Sequence, residues 1–398
     1  MEIAKWRKVV NKHFPELTTA AEIGLSVIFQ LGIEDINKPF ALIYLDASSS
    51  GKTTILNFFL SAIELTHYID DLTHASFVSH AANRTQAQLQ DIDLLPKIKD
   101  KVLIVRDMSS IFSKREEELA KFLGILTRVL DGEGYQSSSG VYGLRGYKGE
   151  YLFMMLGAST PVTSKVFRMM SRLGSRLLFF NIDMPYKNDE NIIKSLFSAH
   201  SLQEKELICR KATLALLKSE FPKDKIKWGD FNKDKKLMQE LLKVINIVSQ
   251  LRSYKNEDGL IYKEHSYRMI NLLLNFMKGH AVLCSRNHLS EEDLILAIRL
   301  ALSSVPYVRL QLFRGLIQNK GRLKTPAVMT ILKFSRKIAI REMRAFKCTD
   351  IATVKKIKNN EIGRSKFVLC LNKSHEWFLT ERFKYLYPLT PHSCKKVD

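Results

Sequence analysis

A chain of 398 residues, 45% of them hydrophobic, is long enough for two or three domains with real cores, and no apolar run approaches the roughly 20 residues that cross a bilayer. Its formal net charge of +21 is uneven: residues 301–398 hold 21 Lys/Arg against 6 Asp/Glu. That bias excludes an acidic chain and favours a polyanionic partner, with nucleic acid the first choice and no membrane partner expected.

The opening MEIAKWRKVV lacks the apolar core and small-residue cleavage site of a signal peptide, so a cytoplasmic protein is expected. Five scattered cysteines (Cys209, Cys284, Cys348, Cys370, Cys394) show no C-x-x-C pair and read as reduced thiols rather than zinc ligands.

Residues 1–36 read as an N-terminal helical segment, with Thr18 or Thr19 capping a helix that Gly32 ends. Phe40 to Leu60 follows as an apolar strand, a Ser-rich turn and an amphipathic helix. The turn Asp46, Ala47, Ser48, Ser49, Ser50, Gly51, Lys52, Thr53, Thr54 is a phosphate-binding loop by composition. Small residues let backbone N–H groups curl around an anion, Lys52 reaches outer phosphates, and the Thr53 hydroxyl suits a magnesium ion. Asp46 stands where the first Gly of G-x-x-x-x-G-K-[ST] is expected. ATP and Mg2+ are therefore the expected ligands.

Next, an apolar strand is expected about Phe77, then a polar helix. Lys101 to Met108 is a continuous apolar strand, as in a parallel sheet covered on both faces, and it ends in Asp107. A strand ending in an acid this far after Gly-Lys-Thr is what a Walker B element looks like, its carboxylate sharing the magnesium with Thr53. Arg106 and Asp107 fill places that usually hold Asp and Glu. Either Asp107 is the magnesium carboxylate with no adjacent Glu base, or the strand is shifted by one.

Ser113 to Glu116 reads as a capping box for a helix to Asp131. Six glycines between Gly132 and Gly149, interleaved with Tyr135, Tyr142, Tyr147, Arg145 and Lys148, suggest either a flexible loop or a hairpin that touches nucleic acid. The strand Tyr151 to Leu156 then leads to Ser159 or Thr160, placed to meet a terminal phosphate or attacking water. A further helix carries Arg168, Arg172 and Arg176 into the core strand LLFFNI, and Arg176 at that junction suits a neighbour's nucleotide site.

This order of parts resembles the AAA+ P-loop ATPases over roughly residues 20–300, and within them the minichromosome-maintenance helicases and origin-recognition ATPases. The resemblance implies an α/β fold with a parallel-sheet P-loop core over 37–190, a helical lid over 191–303, and assembly into a ring or partial ring. It implies a sensor 1 role for Thr160, an arginine-finger role for Arg176 and a sensor 2 role for Arg268, so that Lys52, Asp107, Thr160, Arg176 and Arg268 form the catalytic set. The Gly-rich segment sits where helicases of that group insert a hairpin. Ser290 before Glu291, Glu292 and Asp293 is an N-cap with acids in the first turn, and His280 and His288 read as packing or capping residues.

Residues 304–398 read as a winged helix-turn-helix. Thr325-Pro326 starts its second helix and Ser335 caps the third, on which Arg336, Lys337, Arg341 and Arg344 share a DNA-facing side while Ile338, Met343 and Phe346 face inward. FVLCL and HEWFL, split by Asn372-Lys373-Ser374, are expected as the wing, with Lys373 at its turn, and HSCKKVD as a loose tail. An ATP-dependent, helicase- or initiator-like DNA-binding ATPase is the leading expectation. The alternative is a slowly hydrolysing ATPase switch that recruits a partner protein to DNA. A small-molecule kinase would explain the P-loop but neither the lid nor the tail.

Overall fold

A computed structural model describes residues 1–79, 85–139, 143–174, 176–182, 201–229, 234–255, 261–262, 265–357 and 366–389. Helices α1 (Ile3–His13) and α2 (Thr18–Phe29) lead to strand β1 (Phe40–Leu45), whose six residues are all buried. Helix α3 (Lys52–Asn57) follows, then β2 (Thr66–Ile69), α4 (Gln86–Ile92), α5 (Leu94–Ile98) and β3 (Val102–Val105). After α6 (Ser109–Phe112) and α7 (Glu116–Val129) comes an antiparallel hairpin, β4 (Gly134–Ser139) with β5 (Gly143–Lys148). The core closes with β6 (Met154–Ser159), α8 (Ser164–Leu173) and β7 (Leu177–Asn181).

Five strands make one parallel sheet in the order β2-β3-β6-β1-β7, which makes the chain an α/β protein. Period-two geometry sends alternate residues to opposite faces. Leu42, Tyr44, Ile104 and Leu156 join a core that continues under α2, whereas Ile43, Leu103, Val105 and Met155 join a second core beneath α7 and α8. Apolar side chains on both faces explain why these strands lack polar alternation. All parallel strands end at one carboxyl edge, where open α/β sheets bind their ligands.

Two expectations for this region are corrected. The strand expected about Phe77 lies earlier, at β2; Phe77 is fully buried, but from a turn. β2 pairs on one side only, with β3, and three of its four residues are only half-buried, which suits its mixed sequence THYI. Ser113 does not cap α7: its hydroxyl donates to the Ser110 carbonyl at the end of α6, and Arg115 holds the N-cap position. Glu116, Glu117 and Glu118 complement the helix dipole instead.

A helical layer follows: α9 (Leu202–Glu220), α10 (Lys235–Arg252), α11 (Ser266–Leu283) and α12 (Glu291–Ser303), with a small hairpin β8 (Tyr254–Lys255) and β9 (Ile261–Tyr262) between α10 and α11. The expected boundary at residue 190 lies outside the described residues. Between α2, α11 and α12 sits a buried ionic cluster. His280 Nε2 lies 2.9 Å from Glu22, and its Nδ1 contacts Asp293 at 2.5 Å. Arg7 pairs with Glu22, and Arg286 contacts both Asp293 oxygens at 2.8 Å. Burial opposes a charge on the ring, but hydrogen bonds to Asp293, Cys284 and Glu22 outweigh it and push the His280 pKa up to about 11.

The C-terminal unit comprises α13 (Tyr307–Gln318), β10 (Arg322–Lys324), α14 (Thr325–Leu332), α15 (Arg336–Cys348), β11 (Ala352–Ile357), β12 (Lys366–Leu371) and α16 (Glu381–Leu386). Its antiparallel sheet has the order β10-β12-β11. The hairpin is therefore β11 with β12, and HEWFL is instead part of a 3-10 helix, Lys373–Leu379. Phe378 packs edge-on against Phe313 and Phe383, at centroid distances of 5.2 and 4.9 Å, which draws that segment off the sheet and into the core. Lys373 thus begins the 3-10 helix and does not form the hairpin turn. On α15, Ala339, Met343 and Phe346 are buried, whereas Ile338 is only half-buried.

The unit is fastened to the helical layer by two arginines. Buried Arg309 donates to the Leu251 and Ser253 carbonyls at the end of α10 and lies over the Tyr254 ring. Arg382 joins Glu240 on α10 to Glu291 on α12. Among the described residues, no helix is long and apolar enough to cross a membrane.

Candidate nucleotide site and basic surfaces

The order β3-β6-β1 brings the ends of three strands side by side, so Asp107, Thr160 and Asp46 meet although they are far apart in sequence. Asp46 N donates to the Ser159 carbonyl at 3.4 Å, and Met108 N to the Ala158 carbonyl at 2.8 Å. Between them Asp46–Gly51 forms the loop before α3. Ser49 and Gly51 take positive φ, 63° and 85°. Gly51 sits in the left-handed region that favours glycine, and a Cβ there would also press on Leu17 Cδ1 at 2.9 Å.

Lys52 Nζ donates to the carbonyls of Asp46, at 2.8 Å, and Ala47, and approaches Ser50 Oγ at 3.3 Å. Burial lowers its pKa, against the opposing pull of Asp46 and Asp107. Both carboxylates therefore lie within electrostatic reach of the ammonium. Ala47, Ser48 and Ser49 are exposed, Ser50 is buried, and Thr53 and Thr54 are half-buried on the first turn of α3. The Asp46 carboxylate accepts from Ala47 N at 2.7 Å, which occupies one N–H of the loop.

Asp107 is exposed just past β3 and accepts from Ser109 N at 2.8 Å. Arg106 points elsewhere, to Asp70 at 3.6 Å. The residue after Asp107 is Met108, fully buried, so no acid adjoins Asp107 on that side. Ser109 ties the edge together: its hydroxyl accepts from Thr160 N at 2.9 Å and lies 3.2 Å from the Thr160 hydroxyl and 3.4 Å from Ser159. Sequence reasoning passed over Ser109, although a hydroxyl two residues beyond a strand-ending acid is the signal that marks it. Ser159 is buried and its hydroxyl donates to the Thr160 carbonyl, leaving Thr160 as the exposed member of the pair.

Arg176 lies elsewhere. It precedes β7, and β7 runs parallel to β1 with Ala41 opposite Leu177, so Arg176 is at the amino edge of the sheet. At about 3.3 Å per residue, the length of β1 separates it by roughly 17 Å from the loop. There Arg176 pairs with Asp131 at 2.8 Å, and Arg268, on the first turn of α11, approaches the same carboxylate at 3.6 Å. Burial lowers the Arg176 pKa despite Asp131, and the charges of Arg268 and Arg128 add to the lowering. Two guanidiniums share one carboxylate. The structure thus groups Arg268 with Arg176, not with the lysine of its own chain.

The basic residues expected on nucleic acid fall on two surfaces. On β5, Lys148 is exposed and Arg145 half-buried, but Tyr147 is buried with its hydroxyl donating to Asp93 at 2.8 Å, so that ring is not available to a ligand; Tyr142 lies outside the described residues. On α15, Lys337, Arg341 and Arg344 are exposed along one groove with Ile338 and Ile340, and Arg336 is half-buried. Lys355 and Lys356, both exposed on β11, bring positive charge to the hairpin, whereas Lys373 lies outside it.

No protein-family model matches the chain, and no curated protein matches it. Among solved structures it is similar to a full-length MCM homolog from Methanopyrus kandleri, at 11% identity and a TM-score of 0.42 over 76% of this chain. The chain spans 61% of that protein, and a likeness this slight leaves function to the geometry of the site.

Proposed function

We propose that the chain is an ATP-dependent DNA-binding ATPase of the AAA+ kind, helicase- or initiator-like, that works as a ring or partial ring. One observation carries the reading: Lys52, Asp107 and Thr160 converge on one edge of the sheet while Arg176 and Arg268 gather at the other. A lysine, a threonine hydroxyl and a carboxylate suit a nucleotide with Mg2+, which takes few protein ligands and keeps several waters. Thr53 and Asp107 would hold the ion, which supplies charge neutralisation at the phosphates. Lys52 would bind the outer phosphates, and Thr160, held by Ser109, would orient a water or the terminal phosphate. The arginine pair would serve the neighbouring subunit. Residues 304–398 would act as a winged helix with α15 in the major groove and the β11–β12 hairpin on phosphates.

The decisive experiment is steady-state ATP hydrolysis with and without duplex DNA by wild type, Lys52→Ala, Asp107→Ala and Arg176→Ala. DNA-stimulated turnover lost in all three variants is expected. Equal turnover in Lys52→Ala would remove the nucleotide assignment.

The buried Met108 beside Asp107 favours a second reading, a regulatory or loader ATPase that binds ATP, hydrolyses it slowly and recruits a partner protein to DNA. Tight ATP binding with background turnover, whatever DNA is added, is its signature.

A further inference from the structure

A cavity of about 320 Å3, within the range of small-molecule sites, opens at the carboxyl edge of the sheet beside the phosphate loop. Ile182, on one wall, donates its N–H to the Leu45 carbonyl at 3.1 Å, the residue before Asp46. Glu16 forms another wall, next in sequence to the Leu17 that packs on Gly51. The cavity therefore neighbours the loop through Ile182 and the Glu16–Leu17 segment, although no loop residue lines it.

Its remaining walls come from α12, α13 and the segment after α16. Arg299 on α12 makes no hydrogen bond or ion pair with the described residues. Arg314 on α13 donates from Nε to the Tyr387 hydroxyl at 3.0 Å, a neutral partner that leaves its charge uncompensated. Two guanidiniums against the single carboxylate of Glu16 make a positive, hydrogen-bonding lining. Guanidinium planes stack on bases and donate to hydroxyl and phosphate oxygens.

We infer that this cavity takes the base and ribose of a nucleotide whose phosphates lie on Asp46–Gly51, and that Arg314 and Tyr387 make the C-terminal unit part of the nucleotide site. The inference rests on the phosphate-loop reading above. α13 and α16 belong to the unit that carries α15, so nucleotide in the cavity and DNA on α15 are linked, each changing the affinity for the other by the same factor.

The test measures binding of ATP, of inorganic tripolyphosphate and of a labelled DNA duplex to full-length wild type, Lys52→Ala, Arg299→Gln, Arg314→Gln and Tyr387→Phe. Tyr387→Phe removes only a hydroxyl and keeps the ring in the core. Arg299→Gln and Arg314→Gln are expected to weaken ATP about tenfold and Tyr387→Phe less, with tripolyphosphate affinity unchanged, while Lys52→Ala weakens both ligands. The change in DNA affinity caused by ATP should shrink in Arg314→Gln and Tyr387→Phe. Wild-type ATP affinity in those two variants, with Lys52→Ala impaired, overturns the role of the C-terminal unit and leaves the phosphate loop standing. Wild-type ATP affinity in Lys52→Ala overturns the phosphate loop and the inference with it. Equal loss of tripolyphosphate in the arginine variants overturns the base placement, and DNA affinity indifferent to ATP in wild type overturns the linkage.

Discussion

Asp46 puts a carboxylate within electrostatic reach of Lys52 at a position where most phosphate loops carry no side chain. Its negative charge opposes a polyphosphate, and its bond to Ala47 N withholds a donor from one. Asp46→Gly is therefore expected to bind ATP several-fold more tightly, by about 1 kcal/mol, in a fluorescence or calorimetric titration. Looser binding would mean that the carboxylate instead holds the loop in its working shape. At this scale the sequence was informative where chemistry is local: Gly51, Lys52 and Asp107 stand in a recognisable order, and strand geometry brings them together. Ser109 was marked in sequence only by its place two residues beyond Asp107; its contact with Thr160 was not legible, because it depends on β6 lying beside β3, about fifty residues away.

Elements were legible where burial sets their pattern. β1, β3 and β6 lie inside the sheet with apolar side chains on both faces, and their continuous apolar runs announced them. β2 and β11 are edge strands, each paired on one side, and their mixed sequences THYI and ATVKKI did not read as strands. The aromatic run HEWFL misled for the opposite reason, since its side chains fill the core of the C-terminal unit from a 3-10 helix. The difference is measurable. Lys355→Ala with Lys356→Ala should weaken DNA binding and flatten its salt dependence by about one to two units of log-log slope, whereas Lys373→Ala should leave both near wild type. A filter-binding titration in which only Lys373→Ala matters would restore the original placement. The groove of Lys337, Arg341 and Arg344 on α15 is expected to give the larger loss, because three cations lie along one face.

For the whole molecule, the His280 cluster joins the N-terminal helices to the helical layer, and its charge makes that junction sensitive to pH. The folded pKa, about 11, lies above the ordinary value of 6.5, so the stabilisation is complete below pH 6.5 and is lost as pH rises toward 11. Urea unfolding at pH 7 and pH 9 should show a fall of roughly 2 kcal/mol in wild type and a much smaller one in His280→Gln. Glu22 and Asp293, whose pKa values stay below the ordinary carboxylate range despite burial, contribute in the opposite direction, only under acid conditions. The sequence placed His280 in a packing role; its two carboxylate partners, 258 and 13 residues away, are set by the tertiary fold.

The roughly 17 Å between the two edges of the sheet has a consequence for mixtures. If every working site is shared, a Lys52→Ala chain keeps a sound arginine edge and an Arg176→Ala chain keeps a sound lysine edge. Each is inert alone, but a junction that joins the sound halves is whole. Random co-assembly of equal amounts makes such junctions about a quarter of the total, from head-to-tail contacts between unlike surfaces. Combining two dead preparations is therefore expected to restore turnover, and a chain that completed its own site would stay silent in the same tube.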